Sequence, residues 1–154
     1  MNNRYTVEVQ TPHGPEEIAI TRHGNPNAPQ QIFAWHGITS GNDFWFWDTF
    51  WEEAEVLLVG LPGHGPVRRY EDGHYRRWTT QHLFDVGEAV VRHHARGVPA
   101  TLIGHSTGGL TALGVALQAP ALAARLVLLG AVIWGDLRGI VRVWEEATRW
   151  PALA

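Results

Sequence analysis

Short apolar runs of strand length alternate along the chain with longer amphipathic segments, and glycine- and proline-rich turns separate them. Two stretches near the N-terminus alternate polar and apolar residues with period two, as the strands of a β-hairpin do: residues 5–9 and 17–21. Mainly apolar runs predict four further strands, at 31–35, 55–59, 100–103 and 125–129. Helices are predicted at 43–53, 80–96, 107–118 and 140–150. This order predicts an α/β fold, with a mostly parallel sheet and flanking helices.

The turn between the run at 100–103 and the helix that follows carries a serine between two glycines. Gly104, Ser106 and Gly108 have the G-x-S-x-G spacing of a nucleophile elbow, in which a serine lies on a sharp strand-to-helix turn. Such a turn strains the backbone of the serine, and side chains two positions to either side would collide with neighbouring backbone. The bare spacing also occurs by chance in ordinary turns, but a strand before it and a helix after it make it more specific. We therefore predict that Ser106 is a nucleophile.

Composition indicates an ordinary globular protein. The chain has 154 residues, of which 45% are hydrophobic and 18% are charged, and its formal net charge of −3 is spread along its length. Nothing in this distribution indicates a nucleic-acid partner or an anionic membrane surface. The absence of cysteine excludes a disulfide framework and a cysteine nucleophile, and it indicates a cytoplasmic location. We expect no signal peptide and no membrane span, since no apolar run approaches about 20 residues.

Three loop motifs together resemble the landmarks of the α/β-hydrolase superfamily. His36-Gly37-Ile38 follows one predicted strand, residues 60–65 (GLPGHG) follow the next, and residues 104–109 (GHSTGG) form the elbow. Their order and separations match as well, so the resemblance covers essentially the whole chain. It implies that the Ser106 hydroxyl attacks a substrate carbonyl and that the backbone N–H groups of Thr107 and Ile38 form the oxyanion hole. It also implies that no cofactor is needed.

The resemblance suggests a small-molecule substrate of the carboxylic ester type, including thioesters and lactones. Several aromatic residues favour an apolar acyl or alcohol group: Phe44, Trp45, Phe46, Trp47 and Trp134. The alternative is that many of these rings pack a helix against the sheet. Serine at the nucleophile position disfavours the dehalogenases and epoxide hydrolases of the superfamily, which use aspartate there.

The remaining histidines and a basic, aromatic stretch have plain structural interpretations. The superfamily pattern implies that His36 and His64 organise loops and that His105 packs within the elbow. His82, His93 and His94 belong to the predicted helix at 80–96 and are expected on a solvent-exposed face. No His-Glu-x-x-His or similar spacing supports a metal site. Residues 68–78 mix arginine with tyrosine and tryptophan, but acidic residues interrupt them, and a surface loop is expected there.

One departure from the superfamily pattern concerns the rest of the catalytic triad. The superfamily places the catalytic histidine on a loop after the last strand, whereas all nine histidines of this chain precede Ser106. Asp136 follows the sixth predicted strand, where some relatives place the acid. The resemblance also makes the strand at 125–129 a neighbour of the elbow strand and leaves it as an exposed apolar edge. We expect the N-terminal half of a hydrolase: core at 1–133 and the start of a cap region at 134–154.

The sequence is consistent with two functions. The first is a serine hydrolase whose histidine and acid come from a segment outside the chain, on a complementary polypeptide or an oligomer partner. The second is a non-catalytic, truncated hydrolase-fold module that associates through the open edge of its sheet. A nucleotide-binding domain is disfavoured, because no strand leads into a G-x-G-x-x-G or Walker loop.

Overall fold

A computed structural model describes residues 3–42, 53–65 and 79–133, which form one six-stranded sheet with two helices. The strands are β1 (Asn3–Thr11), β2 (Gly14–Gly24), β3 (Gln30–Trp35), β4 (Ala54–Val59), β5 (Ala100–His105) and β6 (Ala123–Leu129). The helices are α1 (Thr80–His94) and α2 (Thr107–Gln118), and a 3-10 turn (Pro120–Leu122) precedes β6. The strand order across the sheet is β1-β2-β4-β3-β5-β6.

The pairing directions bring three loops to one end of the sheet. β3, β4, β5 and β6 run parallel to one another, whereas β1 and β2 add an antiparallel hairpin at one edge. The prediction of a mostly parallel α/β sheet is confirmed, as is the pairing of β6 with the elbow strand β5. Because the carboxyl ends of parallel strands meet at the same end of a sheet, the loops after β3, β4 and β5 are neighbours.

The predicted elements that fall within the described residues agree with the structure to within a few residues. The prediction for α2 matches at both ends, since the elbow precedes it and Pro120 follows it closely. Helix α1 ends at His94, two residues before the predicted end, ahead of Gly97 (φ 79°) and Pro99. The residue after the helix, Ala95, has an extended backbone (φ −60°, ψ 137°), so the helix ends there.

Apolar side chains fill both faces of the sheet. On the face covered by α1 and α2, the packed residues include Phe33, Trp35, Leu57, Leu102 and Val115. A smaller cluster on the other face consists of Ala34, Ala54, Val56, Leu58 and Ile103. At the outer edge, Val127, Leu128 and Leu129 of β6 remain 37–38% exposed. Among the described residues no strand pairs with the outer side of β6, so these residues form an apolar edge of the sheet.

Two predictions about the helix histidines are corrected by the structure. His82 was expected on a solvent-exposed face, but it is buried and its Nε2 lies 3.0 Å from a carboxylate oxygen of Glu16, itself buried. His94 is half-buried, and its ring contacts Tyr5 and Phe33. Their partners lie on β1, β2 and β3, so these side chains tie α1 to the sheet.

Several predictions lie outside the described residues. These are the helices at 43–53 and 140–150, the loop at 68–78, the cap region at 134–154, and the residues Trp134 and Asp136. Within the three described ranges, no helix is long and apolar enough to cross a membrane.

A buried carboxylate connects three segments at the end of the sheet opposite the elbow. Glu55 on β4 is 3% exposed, and its oxygens lie 3.1 Å from Arg22 Nε and 3.0 Å from Arg96 Nη2. The Arg22 contact is an ion pair whose alignment is poor for a hydrogen bond. Gln31 Nε2 also donates to Glu55, at 2.9 Å. Arg96 in turn donates to the Pro26 carbonyl at 2.6 Å and so holds the turn between β2 and β3.

Replacing Glu55 by glutamine is expected to lower the free energy of unfolding by about 2 kcal/mol, because two partly buried guanidinium groups lose their counter-charge. Urea unfolding at pH 7 measures the loss. Glu88→Gln is the matched control: Glu88 pairs with Arg92 at 2.7 Å on a more exposed helix face, where such pairs contribute at most about 1 kcal/mol. Equal losses in the two variants would contradict a special role for the buried carboxylate.

Candidate active site

Ser106 has a strained backbone at the sharp turn between β5 and α2. Its φ is 54° and its ψ is −119°, and it is the only non-glycine residue with positive φ in the described ranges. Holding a side chain in that region costs roughly 1–3 kcal/mol. The Ser106 N–H donates to the Leu129 carbonyl at 3.0 Å, and its carbonyl accepts from Gly109 and Val132 at 3.0 and 3.2 Å. The end of β6 and the first turn of α2 therefore hold the turn from both sides.

Glycines at the two flanking positions allow the turn to lie against the sheet. A Cβ on Gly104 would overlap the backbone of Gly108. A Cβ on Gly108 would lie 2.5 Å from the His36 carbonyl oxygen and closer still to that of Trp35. The first turn of α2 thus packs directly on the end of β3, with no room for a side chain between them.

The structure brings the two predicted oxyanion-hole residues to the same place as Ser106. Thr107 is the first residue of α2, where an N–H group has no carbonyl partner within the helix. Ile38 is half-buried, and its N–H makes no hydrogen bond to any described residue. A Cβ on Gly37 would lie 3.1 Å from Ser106 Cβ, so the loop after β3 is in contact with the elbow. The backbones of Thr107 and Ile38 therefore lie beside Ser106, and neither N–H has a hydrogen-bond partner among the described residues.

Two histidines bridge the loops that follow β3 and β4. His36 is fully buried; its Nδ1 donates to the Gly37 carbonyl at 2.7 Å, and its Nε2 accepts from the Leu61 N–H at 3.4 Å. His64 Nε2 donates to the Ile38 carbonyl at 2.8 Å, its Nδ1 lies 3.2 Å from the Pro62 carbonyl, and the His36 and His64 rings lie 5.2 Å apart. Both rings are occupied with backbone groups, in agreement with the loop-organising role that the superfamily resemblance implies.

Burial lowers the pKa of His36 from 6.5 to about 4, against a smaller opposite effect of its hydrogen bond to Gly37. Between those two pH values the unfolded chain binds a proton on this ring and the folded chain does not. Stability from His36 is therefore fully present above pH 6.5 and is lost as pH falls towards 4. The loss at the lower limit is about 3 kcal/mol.

We expect His36→Asn to flatten the dependence of unfolding free energy on pH. Asparagine can donate to the Gly37 carbonyl but does not titrate, and other groups contribute equally to both proteins. Urea unfolding of the two proteins at several pH values between 7 and 4 measures the difference in slope. Parallel profiles for wild type and variant would show that His36 is not buried in its neutral form.

The described residues do not include a base for Ser106. No hydrogen bond joins the Ser106 hydroxyl to a histidine ring in residues 3–42, 53–65 and 79–133. His105 is next in sequence, but its ring packs beside Gly37. No group of three or more metal-binding side chains occurs in the described ranges either.

Sequence reasoning missed Asn42, which fastens the loop after β3 to the sheet. Its Nδ2 lies 3.0 Å from the Leu58 carbonyl and 3.3 Å from the Ala19 carbonyl, on two different strands. No motif in the sequence indicates this contact. The bridges made by His36 and His64 had a signal, since both histidines stand beside glycine in loops that follow predicted strands.

Comparison with known proteins finds the same fold and related sequences. Residues 50–153 match the family model Hydrolase_4, described as serine aminopeptidase, S33. Esterase Rv0045c of Mycobacterium tuberculosis is 39% identical over 148 residues, which cover 88% of this chain and 46% of that protein.

Solved structures with the same fold include esterases from two other bacteria. A thermophilic esterase from Thermogutta terrifontis has a TM-score of 0.76 at 21% identity and covers 94% of this chain and 54% of that one. Esterase RhEst1 from a Rhodococcus species has a TM-score of 0.69 at 23% identity, covering 82% and 46%. The chain thus spans about half the length of the relatives that it matches, at 46–54%.

Proposed function

The chain belongs to the α/β-hydrolase superfamily, in the serine aminopeptidase S33 family, and from this we propose that it supplies the nucleophile and oxyanion hole of a serine esterase. The observation that carries the proposal is the strained Ser106, next to two backbone N–H groups that have no hydrogen-bond partner among the described residues. The proposed substrates are small apolar carboxylic esters, with thioesters and lactones as related groups. The aromatic residues of the sequence support an apolar acyl or alcohol part.

The proposed reaction proceeds in two steps through Ser106. A base removes the hydroxyl proton while Oγ attacks the ester carbonyl, and the negative charge on the carbonyl oxygen is stabilised by the N–H groups of Thr107 and Ile38. The tetrahedral intermediate collapses, the carbon–alkoxide bond breaks, and the base returns its proton to the leaving alcohol. Water then attacks the acyl-enzyme by the same sequence of proton transfers, which releases the acid and regenerates the serine.

We propose that the base, a histidine, and its acid partner come from a segment outside this chain, such as a complementary polypeptide. Two observations support this: all nine histidines precede Ser106, and none of those in the described ranges hydrogen-bonds to its hydroxyl. The open apolar edge of β6 offers a place where such a segment pairs with the sheet. The same edge favours the second candidate function, a non-catalytic module that associates through β6.

Intact mass spectrometry with a serine-reactive fluorophosphonate distinguishes the two candidates. An esterase is expected to gain one adduct per chain, on the peptide that contains Ser106, and native spectra are expected to reveal the companion polypeptide. The chain has only one other serine, Ser40, so Ser40→Ala is a matched control that must keep the adduct. A companion polypeptide together with an unlabelled chain would favour the non-catalytic module.

A further inference from the structure

Each of the two peptide groups that flank Ile38 is held by a histidine ring. On the first, the Gly37 carbonyl accepts hydrogen bonds from His36 Nδ1 at 2.7 Å and from the Ser40 N–H at 3.0 Å. On the second, the Ile38 carbonyl accepts a hydrogen bond from His64 Nε2 at 2.8 Å. Because a carbonyl oxygen can only accept, His36 carries its proton at Nδ1, and its Nε2 accepts from the Leu61 N–H. Both nitrogens of His64 face carbonyls, Nε2 that of Ile38 at 2.8 Å and Nδ1 that of Pro62 at 3.2 Å, and the shorter contact favours the proton on Nε2.

The hydrogen bonds to the Gly37 and Ile38 carbonyls fix the direction of the Ile38 N–H, which donates to no described residue. A trans peptide group is planar, and its N–H points away from its own carbonyl. The Ile38 N–H shares a peptide group with the Gly37 carbonyl, so the two hydrogen bonds on that oxygen turn the N–H away from the His36 ring. The contact between His64 and the next carbonyl restrains the backbone on the other side of Ile38. Both ends of this residue are therefore restrained.

We propose that His36 and His64 are positioning residues for stabilising the oxyanion: His36 aims and polarises the Ile38 N–H, and His64 restrains the backbone on the other side of Ile38. This inference rests on the proposed function. The hydrogen bonds form a chain from the Leu61 N–H through the His36 ring to the Gly37 carbonyl, and in such a chain each bond strengthens the next. Neither ring contacts substrate in this assignment, since both act through backbone carbonyls.

Two variants of His64 test the role, because this half-buried side chain can be replaced more safely than the fully buried His36. His64→Leu is expected to lower kcat for p-nitrophenyl butyrate by about 10- to 100-fold, since the oxyanion exists only in the transition state. KM is expected to stay within about threefold. His64→Gln keeps an N–H donor for the Ile38 carbonyl and is expected to recover most of kcat. The exposed His93 on α1 provides the control His93→Leu, which is expected to behave as wild type.

The measurements use the protein as isolated, with any companion polypeptide, and kcat is expressed per Ser106 labelled by fluorophosphonate. Equal losses of kcat in His64→Leu and His64→Gln would overturn the positioning role and leave the proposed function intact. A smaller fraction of Ser106 that takes the label, with kcat per labelled Ser106 unchanged, would do the same. A wild type that neither turns over ester nor takes the label would overturn both.

A spectroscopic measurement tests the geometry without any need for activity. Ring nitrogen-15 NMR of the wild type is expected to find His36 protonated at Nδ1 and His64 protonated at Nε2. Either ring protonated only at its other nitrogen would overturn the proposal, even in an active esterase. The stated tautomers, together with the recovery by His64→Gln, would support it.

Discussion

Replacing Ser106 by alanine is expected to lower ester turnover by about four orders of magnitude or more, while the free energy of unfolding changes by less than about 0.5 kcal/mol. Alanine keeps the Cβ and therefore the same backbone strain. The lost hydroxyl makes no capping hydrogen bond to α2, so the helix loses no support. Initial rates with p-nitrophenyl butyrate and urea unfolding at pH 7 measure the two effects on the same preparations. Turnover that persists in Ser106→Ala would contradict the assignment of the nucleophile.

A glycine at the same position separates the strain from the chemistry. Ser106→Gly also removes the hydroxyl and is expected to be as inactive as Ser106→Ala. It relieves a strain of roughly 1–3 kcal/mol at φ 54°, offset by about 1 kcal/mol for the greater freedom of glycine in the unfolded chain. We therefore expect Ser106→Gly to be more stable than Ser106→Ala. A less stable glycine variant would mean that the turn stores no strain, and that the serine conformation is not held for function.

The sequence predicts the sheet and its helices well because the signals for them are local. Helix α2 lies between an elbow glycine and Pro120, and both marks are visible in one short stretch. Strand β4 is buried along its whole length, which agrees with the continuous apolar run at 56–59. The elbow is equally local, since Gly104, Ser106 and Gly108 are close in sequence. The loop motifs also indicate which backbone N–H groups lie beside the serine.

Contacts between distant segments were not predictable in the same way. His82 and Glu16 are far apart in the chain, and helical periodicity does not tell a solvated histidine from one that pairs with a buried carboxylate on β2. The hydrogen bond from His64 to the Ile38 carbonyl was equally unpredictable from local sequence, because it depends on how two loops meet after folding. Residue type identifies these histidines as candidates for structural roles. Their partners follow only from the strand order.

The elbow glycines lead to the largest expected effect on stability. Gly108→Ala is expected to lower the free energy of unfolding by more than about 3 kcal/mol, a large part of the stability of a typical domain. Helix propensity alone predicts the opposite sign, since alanine is favoured over glycine within a helix by about 1 kcal/mol. The steric effect dominates because the new Cβ would meet the backbone carbonyls of Trp35 and His36, which belong to the packed end of β3 and cannot rotate away.

Gly41→Ala is the matched control for this comparison. Gly41 lies in the exposed loop after β3, and a Cβ there would have no described neighbour within 4 Å. Its substitution is expected to change stability by less than about 1 kcal/mol, and in the stabilising direction. Urea unfolding of the two variants at pH 7 gives the comparison, with fluorophosphonate labelling of Ser106 as a second readout. A Gly108→Ala protein as stable as Gly41→Ala would mean that α2 does not pack directly on β3. Ser106 would then not be held against the loop that carries the Ile38 N–H.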